Sequence, residues 1–423
     1  MSTLSPVRTV HPALPEGRGP WPGMGAVVAA AVAAMTPVFG VAALATPIER
    51  DAGISGTTFG LALSVFFAVT AAGSGVGRRV AARLPLPAVL LLIDLLAAAA
   101  LLLAALADGP VWLIGALVVG GVANTLPQPA AGRYIAARVP GHRLSLATGL
   151  VGAALGAAPL LPGLLAGLVA VPYGPRTALV AAAAFPVLAL AAVPLGRIGP
   201  ARPRTPSTTV TGDDRAAGDA VRRRTIFRVL LLWTLAAGLA TVGSNAAASY
   251  FIQIGTASGL STAVAGLMQS LAGIVAIAVR LTAGGLADRA PRHNPVVVTV
   301  MMLSGALGLA LTAFGTPVTF VIGAILAVAG GWGWTGLLLA SVMRLLDGQG
   351  ARAGAWMQAG LFTGAAVTPF TFGVVTGAIG VPGAVLLAAA TALAGTLTMA
   401  AGILLRSRTR VTASRRRAPA CRW

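Results

Sequence analysis

The chain contains no lysine: all 30 of its basic residues are arginine, set against 10 acidic ones. Charge of either sign is scarce, 9% of 423 residues, where a water-soluble domain carries about a quarter. So few charges cannot cover a soluble surface, which excludes an ordinary soluble protein. Cysteine is confined to Cys421, so no internal disulfide can form. Histidine occurs three times, at 11, 142 and 293, in stretches that read as tails and loops. These residues assemble neither a metal-ligand cluster nor a catalytic set. The chain does not read as an enzyme, and neither a metal nor another cofactor is implied. Without lysine there is no Gly-rich Lys-Ser/Thr phosphate loop, which excludes ATP-driven work by this chain alone.

Apolar residues are what the chain has. They make up 57% of it, and the mean hydropathy is +0.88. A helix crossing hydrocarbon needs about 20 apolar residues. Breaking the chain at charges and at Pro/Gly clusters predicts twelve such helices. The first six are 24–47, 56–77, 86–107, 111–135, 144–169 and 177–196. The second six are 226–252, 262–287, 295–314, 318–343, 353–378 and 383–405. The fold class is therefore an all-α polytopic membrane protein. Its expected divisions are a polar N-terminal tail (1–22), a six-helix bundle (23–196), an Arg-, Pro- and Ser-rich linker (197–225), a second six-helix bundle (226–405) and a basic tail (406–423). The N-terminal tail lacks the apolar core of a cleaved signal peptide.

Arginine sets the expected orientation. With both termini in the cytoplasm, 27 of the 30 arginines fall on the cytoplasmic side; Arg50 and Arg176 lie outside and Arg280 lies within a segment. That is a strong positive-inside bias, expected for a multi-pass protein of the cell membrane. It also accounts for the basic balance without nucleic acid. The runs Arg222–Arg224 and Arg415–Arg417 are suited to anionic lipid headgroups.

The two bundles repeat one another. Gly53-Ile-Ser-Gly-Thr-Thr-Phe-Gly-Leu61 aligns with Gly259-Leu-Ser-Thr-Ala-Val-Ala-Gly-Leu267 at a spacing of 206. Each copy opens a helix, with Ser55 and Ser261 as N-caps and Ile54 and Phe59 spaced as a hydrophobic staple. At the same offset Val80-Ala-Ala-Arg83 faces Leu286-Ala-Asp-Arg289. At 210, Gly120-Gly121 meets Gly330-Gly331, Thr125 meets Thr335 and Pro159 meets Pro369. Parallel six-helix repeats joined by a basic linker are a transporter architecture.

Gly284-Gly-Leu-Ala-Asp-Arg289, followed by Arg292-His293, resembles the signature loop of the major facilitator superfamily in its second-half position, between helices 8 and 9. The first-half copy, Gly77-Arg-Arg-Val-Ala-Ala-Arg83, has Ala82 where aspartate is expected. The resemblance covers nearly the whole chain and implies a twelve-helix transporter of bacterial type. It implies a gating loop of Gly284, Gly285, Asp288, Arg289 and Arg292 that latches the two halves on the cytoplasmic side. Asp288 would meet the N-terminus of helix 11 near Arg352, where unpaired N–H groups favour a carboxylate; pairing with Arg289 or Arg292 is the alternative. The resemblance also implies a central cavity lined by helices 1, 4, 7 and 10. Here these carry Thr36, Asn124, Thr125, Gln128, Ser244, Asn245, Tyr250, Trp332, Trp334 and Thr335, polar or aromatic and uncharged, a set suited either to a neutral or amphiphilic solute or to interhelical hydrogen bonds. Gln269 and Gln358 rank behind them.

Two charged residues, Asp94 and Arg280, lie well inside segments. Asp94, in helix 3, is a candidate proton carrier, or else pairs with a polar neighbour or faces the cytoplasm. Arg280, about two turns inside helix 8, would support the latch region or bind a substrate anion. Helix 5 carries Gly149, Gly152, Gly156 and Ala158-Pro-Leu-Leu-Pro-Gly163, similar to the Gly-Pro motif of the drug/proton antiporters in that family. The function expected is a secondary transporter working by alternating access, exporting a small neutral or amphiphilic organic compound by proton antiport. An uptake permease for a small metabolite or organic anion is the alternative. The partners expected are the lipid bilayer, a small-molecule substrate and protons, with the chain acting as a monomer.

Overall fold

The computed structural model describes residues 19–51, 53–140, 143–197, 216–287, 289, 291–346 and 350–417, and these are almost entirely helical. The first half contains α1 (Pro20–Ala43), α2 (Gly56–Arg83), α3 (Leu86–Ala105), α4 (Pro110–Arg138), α5 (Leu144–Ala157, continuing as Leu160–Tyr173) and α6 (Pro175–Gly196). The second contains α7 (Ala216–Ser249, continuing as Phe251–Ala257), α8 (Thr262–Ala287), α9 (Asn294–Thr312) and α10 (Pro317–Leu345). The helical stretch Gly350–Arg417 turns at Gly380, whose φ of 75° is open to glycine alone at little cost; α11 precedes that turn and α12 follows it. Ten stretches among the described residues are long and apolar enough to cross a membrane. The last of them holds both α11 and α12. The interrupted α5, whose pieces are each too short to be included, completes twelve crossings.

Helix ends differ from the expected ones for local reasons. α1 stops at Ala43, and a separate seven-residue helix, Ala45–Asp51, leads toward α2. α7 begins at Ala216, inside the stretch read as linker, because Ala-Ala-Gly-Asp-Ala-Val-Arg-Arg-Arg contains no proline and is rich in helix formers. α12 runs on to Arg417 through the stretch read as a tail. The expected N-caps form: the Ser55 and Ser261 hydroxyls accept from the Thr58 and Val264 amides at 3.2 and 3.3 Å.

Several crossings are broken inside the bundle. α4 breaks at Thr125 and Leu126, just before Pro127, which has no N–H to continue the ladder. α10 breaks at Trp334, beside Thr335, its repeat counterpart. α5 breaks at Ala158 and Pro159 and then widens into a five-residue π-turn, Ala166–Ala170. Such breaks persist at membrane depth where protein rather than lipid surrounds them.

α1 is buried along most of its length and packs on α3, α4, α5 and α6. α7 packs chiefly on α11 and α12. The halves meet along two helix pairs, α2 with α11 and α5 with α8. The outer faces carry large exposed apolar side chains, such as Leu95, Leu102, Leu231, Leu303 and Leu397, as a lipid-facing surface requires. Arg78, Arg79, Arg83, Arg133 and Arg138 gather at one end of the bundle. There the Arg133 and Arg138 guanidiniums donate to the Leu84 and Arg197 carbonyls, each at 3.0 Å. The far end carries Asp108 and Arg176, an exposed ion pair at 2.6 Å.

Candidate functional site

The two seams between the halves differ in tightness along their length. On the α2–α11 seam, Pro369 leaves the Ala365 carbonyl without its helical N–H partner. The Asn245 amide of α7 donates to that oxygen at 3.0 Å. The Tyr250 hydroxyl donates to the Pro369 carbonyl at 2.7 Å, and its ring stacks on Phe372 with centroids 4.3 Å apart. Across the seam, the Phe370 amide donates to the Ser64 hydroxyl of α2 at 2.9 Å. Gly60 lies against this knot: a Cβ there would press on the Pro369 carbonyl and come within 3.0 Å of the Tyr250 hydroxyl. All of this is toward the far end. Gly75, about four turns farther along α2 on roughly the same face, meets nothing within 4 Å.

The α5–α8 seam shows the same gradient. At the far end a Cβ on Gly266 would meet the Gly163 carbonyl at 2.5 Å, and one on Gly167 would meet the Ala263 carbonyl at 2.9 Å. At mid-depth the corresponding distance from Gly273 to the Gly156 carbonyl is 3.0 Å. At the arginine-rich end a Cβ on Gly149 would lie 3.8 Å from the Arg280 carbonyl. The Ser270 hydroxyl of α8 donates to the Leu160 carbonyl of α5 at 2.7 Å. The halves are thus clasped at the far end and looser at the arginine-rich end.

A small cavity occupies the looser half, between α5, α8 and α10, lined by Gly149, Gly152, Arg280, Gly284, Gly336 and Leu337 among others. Its volume of about 10 Å³ has room for roughly one water. Arg280 is 3% exposed, so its side chain does not snorkel to water. Its Nε and Nη2 both donate to the Trp332 carbonyl, at 3.0 and 2.6 Å. Its Nη1 has no hydrogen-bond partner among the described residues. Glycine at 156 makes room for that nitrogen, which would lie 2.6 Å from a Cβ there.

The uncharged residues expected to line a central cavity are mostly engaged within the protein. Thr36 bonds the Val32 carbonyl, Asn124 bonds Thr70, and Thr125 bonds the Val122 carbonyl. Ser244 bonds the Ala240 and Gly331 carbonyls; the Trp332 indole bonds the Ser244 carbonyl, and Thr335 bonds the Trp332 carbonyl. Trp334 is fully buried with its indole N–H unpaired. Gln128 and Gln358 are half-buried. Gln269 donates to the Ala248 carbonyl at 3.3 Å while its Oε1 has no partner. Thr36, Thr125 and Thr335 bond back within their own crossings, while Asn124, Ser244, Gln269 and Trp332 bond between helices, and Arg280 rather than this group faces the cavity.

Asp94 is 1% exposed in α3, and its Oδ1 has no partner among the described residues. Of the residues expected to form a gating loop, Gly284 and Gly285 lie within α8; Gly284 is buried against α5, while Gly285, Arg289 and Arg292 are exposed. Asp288 and the side chain of Arg352 lie outside the described residues.

Sequence reasoning passed over Ser64, Ser270 and Glu49. The first two bridge the halves but look like ordinary small residues of apolar segments. No proline marks either one: Pro369 implies a donor for the Ala365 carbonyl, and that donor is Asn245. Glu49, on the short helix after α1, hydrogen-bonds Gln253 of α7. Burial raises its carboxyl above the ordinary range, and the Gln253 contact lowers it in part. Its Oε1 is buried without a partner.

The family model described as the Major Facilitator Superfamily matches residues 25–350, which is α1 through α10. No curated protein matches the chain.

Proposed function

The chain belongs to the major facilitator superfamily, and from that premise we propose that this secondary transporter exports a small amphiphilic organic compound in exchange for protons. The observation that carries the reading is the one-sided clasp. Both seams are tight at the far end and relaxed at the arginine-rich end, where the cavity lies. Two halves packed through glycines on backbone carbonyls can rock about such a seam. The positive-inside bias supports placing the arginine-rich end, and with it both termini, in the cytoplasm of the cell. The described arrangement is then the inward-facing one.

Asp94 is the proposed proton carrier. A buried carboxyl with an unpartnered oxygen is far cheaper to hold neutral than charged, so a change in its surroundings moves a proton. The proline-interrupted α5 gives the α5–α8 seam a helix that bends where the halves part, and the similarity of its Gly-Pro run to that of drug/proton antiporters is what favours export over the uptake alternative. The test is flux in proteoliposomes across a panel of labelled organic acids, amides and amphiphilic amines, with and without an imposed pH gradient. Gradient-driven flux that becomes gradient-independent in Asp94→Asn is expected. Flux indifferent both to the gradient and to that substitution would overturn proton coupling.

A further inference from the structure

The most anomalous group in the molecule is the Arg280 guanidinium. It is buried between both halves and touches no carboxylate among the described residues. Long side chains on a helix lean toward its N-terminus, and the contacts of Arg280 with Gly156 and Trp332 agree. One backbone carbonyl cannot neutralise a full charge in a low-dielectric interior. A cation left in that position calls for an anion that comes and goes.

We propose that Arg280 is the anion-binding subsite of the transport pathway, with Nη1 donating to a carboxylate carried by the solute. The inference rests on the transporter reading above and narrows its solute to an amphiphilic organic carboxylate. Three features support it. Arg280 lines the cavity and its Nη1, packed against Gly156, is unpartnered among the described residues, while Nε and Nη2 are fixed on Trp332 and hold the fork in place. Much of the wall is glycine, at 149, 152, 284 and 336, beside Thr148, Leu337 and Ala340, and the glycines let a ligand approach the backbone closely. The walls come from α5 on one side and from α8 and α10 on the other, so a bound carboxylate would join the two halves. A single donor suits a carboxylate oxygen; a phosphate would require a larger set. The cavity must widen from its present size to admit the ligand, as the loose packing at this end allows.

The experiment uses the purified full-length chain at constant ionic strength and reads thermal stabilisation against ligand concentration. The probes are matched pairs differing only in charge, benzoate with benzamide and octanoate with octanamide, together with inorganic phosphate. Wild type should bind each acid more tightly than its amide. Arg280→Gln should cut acid affinity about tenfold or more, the size of a lost charged hydrogen bond, and leave the amide unchanged. Arg280→Lys, which keeps the charge, should retain part of the preference and serves as the comparison if the glutamine variant does not fold. Equal binding of acid and amide by wild type, acid preference intact in Arg280→Gln, or stabilisation by phosphate alone would each overturn the proposal. Binding needs no transport: acid preference without flux of any solute would refute the transporter reading and spare the subsite, whereas flux with no acid preference would do the reverse.

Discussion

Gly60→Ala tests whether the far-end clasp controls which face of the protein is open. The added methyl would press on the Pro369 carbonyl and approach its carbon at 2.9 Å and the Tyr250 hydroxyl at 3.0 Å. Two of these atoms are backbone, and the hydroxyl is already committed to Pro369, so none can step aside cheaply. Overpacking of this kind costs about 1–3 kcal/mol. The cost falls on the arrangement in which α2 and α11 touch and is relieved when they part. At about 1.4 kcal/mol per tenfold, the ratio of far-end-open to far-end-closed molecules should rise roughly 5- to 150-fold. Spin labels at Asp51→Cys and Gly377→Cys, with Cys421→Ser, report that separation by pulsed electron resonance. The long-distance population should grow in Gly60→Ala and stay unchanged in Gly75→Ala, where a methyl meets nothing within 4 Å. A distance distribution unaffected by Gly60→Ala in folded protein would refute the clasp as the controlling contact.

Asn245→Ala leaves the Ala365 carbonyl, already deprived of a partner by Pro369, without its remaining donor, and should lower stability by about 1–3 kcal/mol, read as a fall in thermal midpoint. Glu49 has its carboxyl raised from the ordinary 4.5 by burial, so the folded protein favours its protonated form. That contribution to stability is full below about pH 4.5 and is lost as pH rises through the raised value. Glu49→Gln, always neutral, should therefore flatten the fall in thermal midpoint across that window, whereas an unchanged pH profile would show that burial of this carboxyl has no energetic consequence.

The crossings were legible because lipid imposes a length and a hydropathy that few other constraints disturb. The repeat was legible for a related reason: Thr125 and Thr335 mark equivalent breaks in α4 and α10, and a break leaves proline, glycine or polar residues in apolar sequence. Helix ends were less so, since nothing in Ala216-Ala-Gly-Asp-Ala marks the membrane surface, and a helix there continues into water. The site was half legible. Arg280 and Asp94 stand out in sequence as charges at depth. What sequence could not reveal was which polar groups were already spent. Asn124, Asn245 and Tyr250 look like ligands for a solute, yet each holds a partner brought from a distant helix. The free nitrogen of Arg280 emerges only once the Trp332 carbonyl is seen to occupy the other two.

Counterflow tests the central account most directly. Proteoliposomes holding the wild-type protein are loaded with unlabelled octanoate and diluted into a trace of the labelled acid. Alternating access predicts a transient accumulation of label above its equilibrium level, because a carrier that returns loaded exchanges one solute for another. A monotonic approach to equilibrium, or none at all, in liposomes whose protein binds the acid would contradict it.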